Sequence, residues 1–188
     1  MSEFFLELFS EEIPPKLQTN ARGKLFSELN NFFEENNIKI KGSAISFSTP
    51  NRIIINFSNI SNDTIKNSEE IKGPSVNAKS EALEGFLKSH NINKSQVTSK
   101  STEKGEFFFY TKPKQKLMTH DLLKKNLPLI LDKINWKKSM RWGTNQMFWG
   151  RPLKSILAVF NEKKIEFDFH HLKSSNCTFI DKDFEEKT

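Results

Sequence analysis

Apolar positions along the chain fall into short runs of two different periods, and turn residues break them at close intervals. Phe4 to Phe9 (FFLELF) is apolar except at Glu7 and reads as a buried or half-buried strand. Ser10-Glu11-Glu12-Ile13 and Pro14-Pro15 follow. Proline suits the first turn of a helix, because that turn needs no amide donor. Leu17, Ala21, Leu25, Leu29 and Phe32 then recur at helical spacing, which predicts a helix over Pro15 to Glu35 ended by Asn36-Asn37. Ile45 to Phe47 and Ile53 to Phe57 flank Thr49-Pro50-Asn51 as a hairpin. Asn59 to Asn67 reads as a polar loop, and Glu70 to Lys72 as a short strand entering a turn at Gly73-Pro74-Ser75. A helix over Lys79 to Ser89 is expected to carry Ala82, Leu83, Phe86 and Leu87 on one face. Lys104-Gly105 joins two extended segments, the second being Phe107 to Thr111.

Thr119 reads as the cap of a helix beginning at His120-Asp121, which Pro128 kinks or divides. Leu153 to Phe160 and Lys164 to Phe169 flank Asn161-Glu162 as a second hairpin. Irregular alternation of strands and helices, with hairpins among them, predicts an α+β fold with a mixed or mainly antiparallel sheet and flanking helices. Residues 1–170 are expected to form that domain. The polar end, FIDKDFEEKT, marks 171–188 as a truncated or frayed segment.

Composition narrows the class. Eighteen Phe among 188 residues supply an ordinary core despite a mean hydropathy of −0.59. No run approaches the roughly 18 apolar residues of a membrane span. The start carries Glu3, Glu7, Glu11 and Glu12 and no basic residue, so a cytoplasmic protein without a membrane partner is expected. The single Cys177 forms no internal disulfide and no multi-thiolate metal site.

Charge is unevenly placed. The chain holds 29 Lys and Arg against 23 acids, but Lys112 to Lys154 alone has eleven basic residues against Asp121 and Asp132. That basic stretch fits either a polyanion partner or a solvated lysine face. Only four cations are Arg; Arg141 sits beside Trp142, Arg151 between Gly150 and Pro152, and Arg52 two positions after Pro50. Arg offers a planar fork for phosphate or carboxylate where Lys offers a point charge.

The segment MRWGTNQMFWGRP, Met140 to Pro152, is the strongest candidate for function. Trp142 and Trp149 supply flat faces for stacking a base, and Arg141 and Arg151 supply forks for phosphates, with Lys137 and Lys138 close by. The alternative makes both Trp core anchors and ties the arginines to Glu11 or Glu12. Elsewhere chemistry is sparse. Lys72-Gly73-Pro74-Ser75 has too few glycines for a phosphate loop. His170 and His171 point to opposite faces if they lie on a strand, which is poor geometry for joint metal ligation. Glu11-Glu12 suits a helix entrance, or the grip of a cationic partner or an Arg. No nucleophile, base and orienter set emerges, and no cofactor site is expected in this chain.

Four segments, in order, resemble the N-terminal region of the β subunit of bacterial heterotetrameric glycyl-tRNA synthetase. They are LELFSEEIPPK (Leu6 to Lys16), Thr49-Pro50-Asn51-Arg52 before an apolar strand, Lys72-Gly73-Pro74-Ser75, and Met140-Arg141-Trp142-Gly143 followed by Phe148 to Pro152. The resemblance implies a fragment of a longer subunit in an α2β2 assembly. It implies that the α subunit activates glycine with ATP and Mg, while β supplies most recognition of tRNA(Gly). Carried onto this chain, it suggests Arg52, Lys72, Lys137, Lys138, Arg141, Trp142, Trp149 and Arg151 against RNA, and Glu11 and Glu12 in a structural or subunit contact. Two positions depart from the family pattern. Asn51 stands where many relatives have a first arginine, and Asp181-Lys182-Asp183 stands where they show Gly-His-Arg. No role is carried onto those two places. The reading from another class is a non-catalytic module that docks β onto α or onto another β; a third is an independent RNA-binding protein.

Overall fold

The computed structural model describes residues 2–66, 68–102, 105–141 and 147–180. In chain order the elements are β1 (Phe4–Ser10), α1 (Pro15–Glu35), β2 (Ala44–Thr49), β3 (Arg52–Phe57), β4 (Asp63–Lys66) and β5 (Glu69–Ser75). Then come α2 (Ser80–His90), β6 (Val97–Thr102), β7 (Gly105–Lys112), β8 (Gln115–Met118), α3 (Thr119–Asp132), β9 (Met140–Arg141) and β10 (Phe148–Trp149). The last are β11 (Leu153–Phe160), β12 (Lys163–Lys164), β13 (Asp168–Phe169) and β14 (Leu172–Ser175). The fold is α+β, as the pattern predicts. Two compact units share it: Met1–Thr64 with Leu117–Thr188, and Ile65–Lys116.

The first unit is built on a mixed sheet of order β13-β14-β11-β1-β3-β2, with β12 also paired to β11. β1 runs antiparallel to both β11 and β3, while β14 is parallel to β11. Because side chains alternate along a strand, Phe4, Leu6 and Leu8 point to one face with Ile53, Ile55 and Phe57 of β3 and Ile156, Ala158 and Phe160 of β11. All are buried in one core with Ala21, Leu25, Leu29 and Phe33 of α1 and Leu123, Leu127 and Leu131 of α3. Phe33 meets Phe57 edge-on at 5.0 Å. Burying each such side chain is worth about 1.5–3 kcal/mol, so this face fixes the register of the whole sheet.

The helix α1 begins and ends where the sequence predicts. Pro14 precedes it and Pro15 occupies its first turn. At its end Asn37 takes φ 54°, the Asn37 amide donates to Glu34 O, and the Ile38 amide donates to Phe33 O. That is the Schellman arrangement, with Asn in the left-handed position. The hydroxyl of buried Thr64 donates to the exposed helix-end carbonyls of Asn36 (2.7 Å) and Asn37 (3.1 Å).

Both predicted hairpins form. Thr49 pairs with Arg52 across Pro50-Asn51, and Phe160 pairs with Lys163 across Asn161-Glu162. Asn161 and Glu162 both have positive φ, the geometry that matches strand twist in a two-residue turn.

Several local expectations are corrected. Within the supposed polar loop 59–67, Asp63–Lys66 is the strand β4, because the neighbouring chain rather than any apolar alternation organises it. Gly73-Pro74-Ser75 is part of β5, with the pairing to β7 shifted between Lys72 and Ser75, so it is a bulged strand and not a turn. Thr119 does not cap α3: it lies inside the first turn, fully buried, and its hydroxyl donates to Ser61 O. Pro128 sits inside α3 without dividing it. Lys164 to Phe169 is not one strand, since only Lys163–Lys164 and Asp168–Phe169 are paired. Ala82 is exposed, leaving Leu83, Phe86 and Leu87 as the half-buried face of α2. Within the segment 171–188, Leu172–Ser175 forms β14 on the main sheet, and 181–188 lie outside the described residues.

The second unit is a three-stranded antiparallel sheet, β5-β7-β6, with α2 against it. Gly73 is the close approach: a Cβ there would lie 3.0 Å from the Phe86 ring. Lys72 is exposed, with its ammonium 3.5 Å from the Phe107 ring centre. No helix among the described residues is long and apolar enough to cross a membrane.

Glu28 of α1 ties that helix to the end of α3, accepting from Lys24 at 2.6 Å and Lys133 at 3.0 Å. These two ammonium groups, Lys24 first, hold the Glu28 carboxyl below the usual carboxylate range. A depressed folded pKa stabilises the fold above the ordinary carboxyl pKa, and the gain is lost as pH falls through the folded value. Glu28→Gln is expected to cost less than about 1 kcal/mol near neutral pH. In thermal melts the gap between the two proteins should close in acid.

Candidate functional site

The segment after α3 is organised by buried indoles. Lys133 closes the helix, Ile134 and Trp136 turn into the core, and β9 and β10 then pair so that Met140 faces Trp149 and Arg141 faces Phe148. Trp149 is 2% exposed, and its ring lies 5.0 Å from that of Trp136 and 5.7 Å from that of Phe169. Trp149 is therefore a core anchor, and its indole is closed to any stacking ligand. Trp142 lies outside the described residues.

Gly150 is required by this packing. A Cβ on it would stand 2.3 Å from the Trp136 ring, well inside contact distance. The Arg, Trp and Gly of the segment thus have different uses: Trp136 and Trp149 press into the core, and Gly150 lets the backbone pass the indole.

Phe148, adjacent to Trp149, points the other way because a strand alternates. It is 57% exposed, and the guanidinium carbon of Arg141, its cross-strand partner, lies 5.3 Å from its ring centre; Met140, paired with Trp149, is 58% exposed. Sequence reasoning missed Phe148. The signal was there: of two adjacent aromatics on a strand, one faces away from the core. Lys137, Lys138 and Arg151 are exposed, and none of the three makes an ion pair with another described residue. The result is an exposed aromatic ring, a guanidinium over it and three further cations, raised on a base of two indoles. Such a surface can stack a planar base and meet phosphates.

The other predicted residues are elsewhere. Lys72 belongs to the second unit. Arg52 is committed within the fold: its guanidinium pairs with Glu7 at 2.7 Å, donates to Thr178 Oγ1 at 2.8 Å and to the carbonyls of Phe179 and Ile180, and lies 4.4 Å over the Phe9 ring. Glu7 is only 6% exposed, so Arg52 is its counter-ion. Its donors, expected against RNA, are engaged inside the fold.

Glu11 is bound to Lys154 at 2.6 Å, not to an arginine, and Glu12 is exposed. Neither lies in the first turn of α1, which contains no acid, so the helix dipole does not explain them. His170 and His171 occupy the turn between β13 and β14 rather than a strand, and His170 meets Asp132 at 3.2 Å.

Two changes test this geometry. Gly150→Ala should destabilise by about 1–3 kcal/mol through overpacking against Trp136. Arg52→Met should cost about 3 kcal/mol, because it strands a buried carboxylate. Denaturant unfolding measures both.

A family model described as glycyl-tRNA synthetase beta subunit matches residues 4–188. Over 179 residues the chain is 36% identical to the glycine–tRNA ligase beta subunit of Rickettsia peacockii (strain Rustic). It is 37% identical over 179 residues to those of Rickettsia bellii (strain OSU 85-389) and Rickettsia typhi (strain ATCC VR-144 / Wilmington). Each match covers 95% of this chain and 27% of the relative, so the chain spans about a quarter of the length of these curated relatives. Its ordered motifs, its α+β fold and this match across nearly every residue place the chain in the glycyl-tRNA synthetase beta subunit family.

Proposed function

We propose that this chain serves a glycine–tRNA ligase as the N-terminal region of its β subunit, and that the β9–β10 hairpin contacts tRNA. The observation that carries this reading is the exposed Arg141–Phe148 pair on its buried Trp136–Trp149 base, flanked by Lys137, Lys138 and Arg151. The indole base fixes the direction in which the pair points. RNA is recognised largely through unstacked bases on aromatic or guanidinium planes and through phosphate contacts, and this hairpin offers both. The chain's own residues bind and orient. Activation of glycine with ATP and Mg is assigned to the partner α subunit of an α2β2 enzyme, so residues 1–188 alone form no glycyl-tRNA. A positive segment in an otherwise slightly acidic chain also directs the encounter, since it attracts a polyanion to one region of the surface.

The isolated chain should bind tRNA weakly and with strong salt dependence, each neutralised phosphate adding ~0.7–0.9 to the slope of log K against log salt. Filter binding at low salt should show Phe148→Ala weakening the complex by about 1–3 kcal/mol. Arg141→Ala with Arg151→Ala should reduce both affinity and slope. No binding at low salt, or binding indifferent to all three changes, contradicts the proposal.

A further inference from the structure

The unit Ile65–Lys116 carries an aromatic run, Phe107-Phe108-Phe109-Tyr110, on the central strand of its own three-stranded sheet. Neighbours on a strand point to opposite faces. Tyr110 lies on the α2 side, with its ring 6.4 Å from that of His90, and the Phe86 ring of the same helix sits against Gly73. Alternation then places Phe107 and Phe109 on the face away from α2. The register sets Lys72 and Thr98 on either side of Phe109, Ser75 and Lys100 on either side of Phe107, and Glu70 beside Thr111.

Phe107 and Phe109 are half-buried, and each has a lysine over its ring. Lys72 Nζ lies 3.5 Å from the Phe107 ring centre and Lys100 Nζ 5.7 Å from that of Phe109. Lys72, Thr98, Lys100 and Thr111 are all exposed. Among the described residues, Glu70 is the one acid that the three strands place on this face, and it is bonded to Lys100. An ammonium over an exposed ring is held weakly, and the long lysine stem lets it swing aside. The charge of the whole unit agrees, with ten Lys against six Glu and no Arg or Asp.

We infer that this face of the second unit is a stacking platform for unpaired nucleotides of an RNA strand. It shares the class of partner with the hairpin reading, but the residues and the unit that carry it are different. Two rings at alternate positions of one strand stand about 6.5 Å apart. That is nearly twice the ~3.4 Å step between bases along a duplex strand. Consecutive bases reach both rings only when splayed apart, so an unpaired stretch fits and a duplex does not. Aromatic rings on an open sheet are a general means of holding such bases. Each base takes the place of a lysine on its ring, and the released ammonium moves to the adjoining phosphate. Lysines over both rings suit a polyanion with flat bases better than an apolar peptide, which would leave the charges without partners. Lys72 thereby acquires a phosphate to meet within its own unit.

The test uses the 188-residue chain and a short oligouridylate substituted with 4-thiouridine. Irradiation at low salt should attach the oligonucleotide to the peptide Gly105–Lys112 of the unaltered protein. Phe107→Leu and Phe109→Leu keep apolar bulk but remove the flat face, and each should weaken binding of the oligonucleotide at least about fivefold. Phe107→Tyr should keep the affinity, and Phe108→Leu, on the α2 side, should leave it unchanged. Cooperative melting checks that each variant is folded. A blunt RNA duplex should compete only at far higher concentration. Phe148→Ala should leave the adducts at Gly105–Lys112 in place, so the hairpin reading and this one fail separately. Absence of adducts from that peptide overturns the inference. So does affinity unmoved by both leucine changes, or a duplex that competes as well as the single strand, which would reduce the site to a patch of lysines.

Discussion

The close approach of the Trp136 indole to the Gly150 backbone is the contact on which the candidate site depends. With no side chain at 150, the backbone just after β10 passes close to the ring, Trp149 enters the core beside Phe169, and the alternation of the strand leaves Phe148 no direction but outward. Arg141 then meets Phe148 as its cross-strand partner. The candidate surface is in this sense a by-product of core packing two residues away. The same logic explains why tryptophan, a residue well suited to stacking on a base, takes no part in it at position 149.

The arginines show how burial decides between roles that chemistry alone leaves open. Arg52 and Arg141 have the same fork. Arg52 lies on the central sheet beside a carboxylate at Glu7 that is nearly sealed from water, where an uncompensated charge is costly, so its donors are committed to Glu7 and to residues 178–180. Arg141 lies at the end of a short ribbon with an exposed ring for company. The basic stretch is likewise uneven. Lys154 is drawn to Glu11 and Lys133 to Glu28, while Lys137, Lys138 and Arg151 face solvent.

Legibility followed the range of the forces involved. The helix over Pro15–Glu35, its Asn-based end and both hairpins were readable because their determinants are local: apolar spacing, proline at a first turn, and residues that accept positive φ. Thr119 has the sequence signature of a cap, but its hydroxyl answers to Ser61, 58 positions away. The strand β4 escaped notice because its anchor, Thr64, is organised by the end of α1. Of the candidate site, the segment was legible from its unusual mixture of Arg, Trp and Gly, yet the aromatic ring it exposes was not. Trp149 and Phe148 are both aromatic, and which one faced the core depended on Trp136 and Phe169, which sequence spacing does not connect to them.

Ultraviolet cross-linking of the chain to tRNA(Gly), with the attached peptides identified by mass spectrometry, probes the central claim most directly. Adducts concentrated between Lys137 and Arg151, with Phe148 itself modified, are the predicted result. Adducts on other surfaces while that peptide stays unmodified would show that the hairpin does not meet RNA.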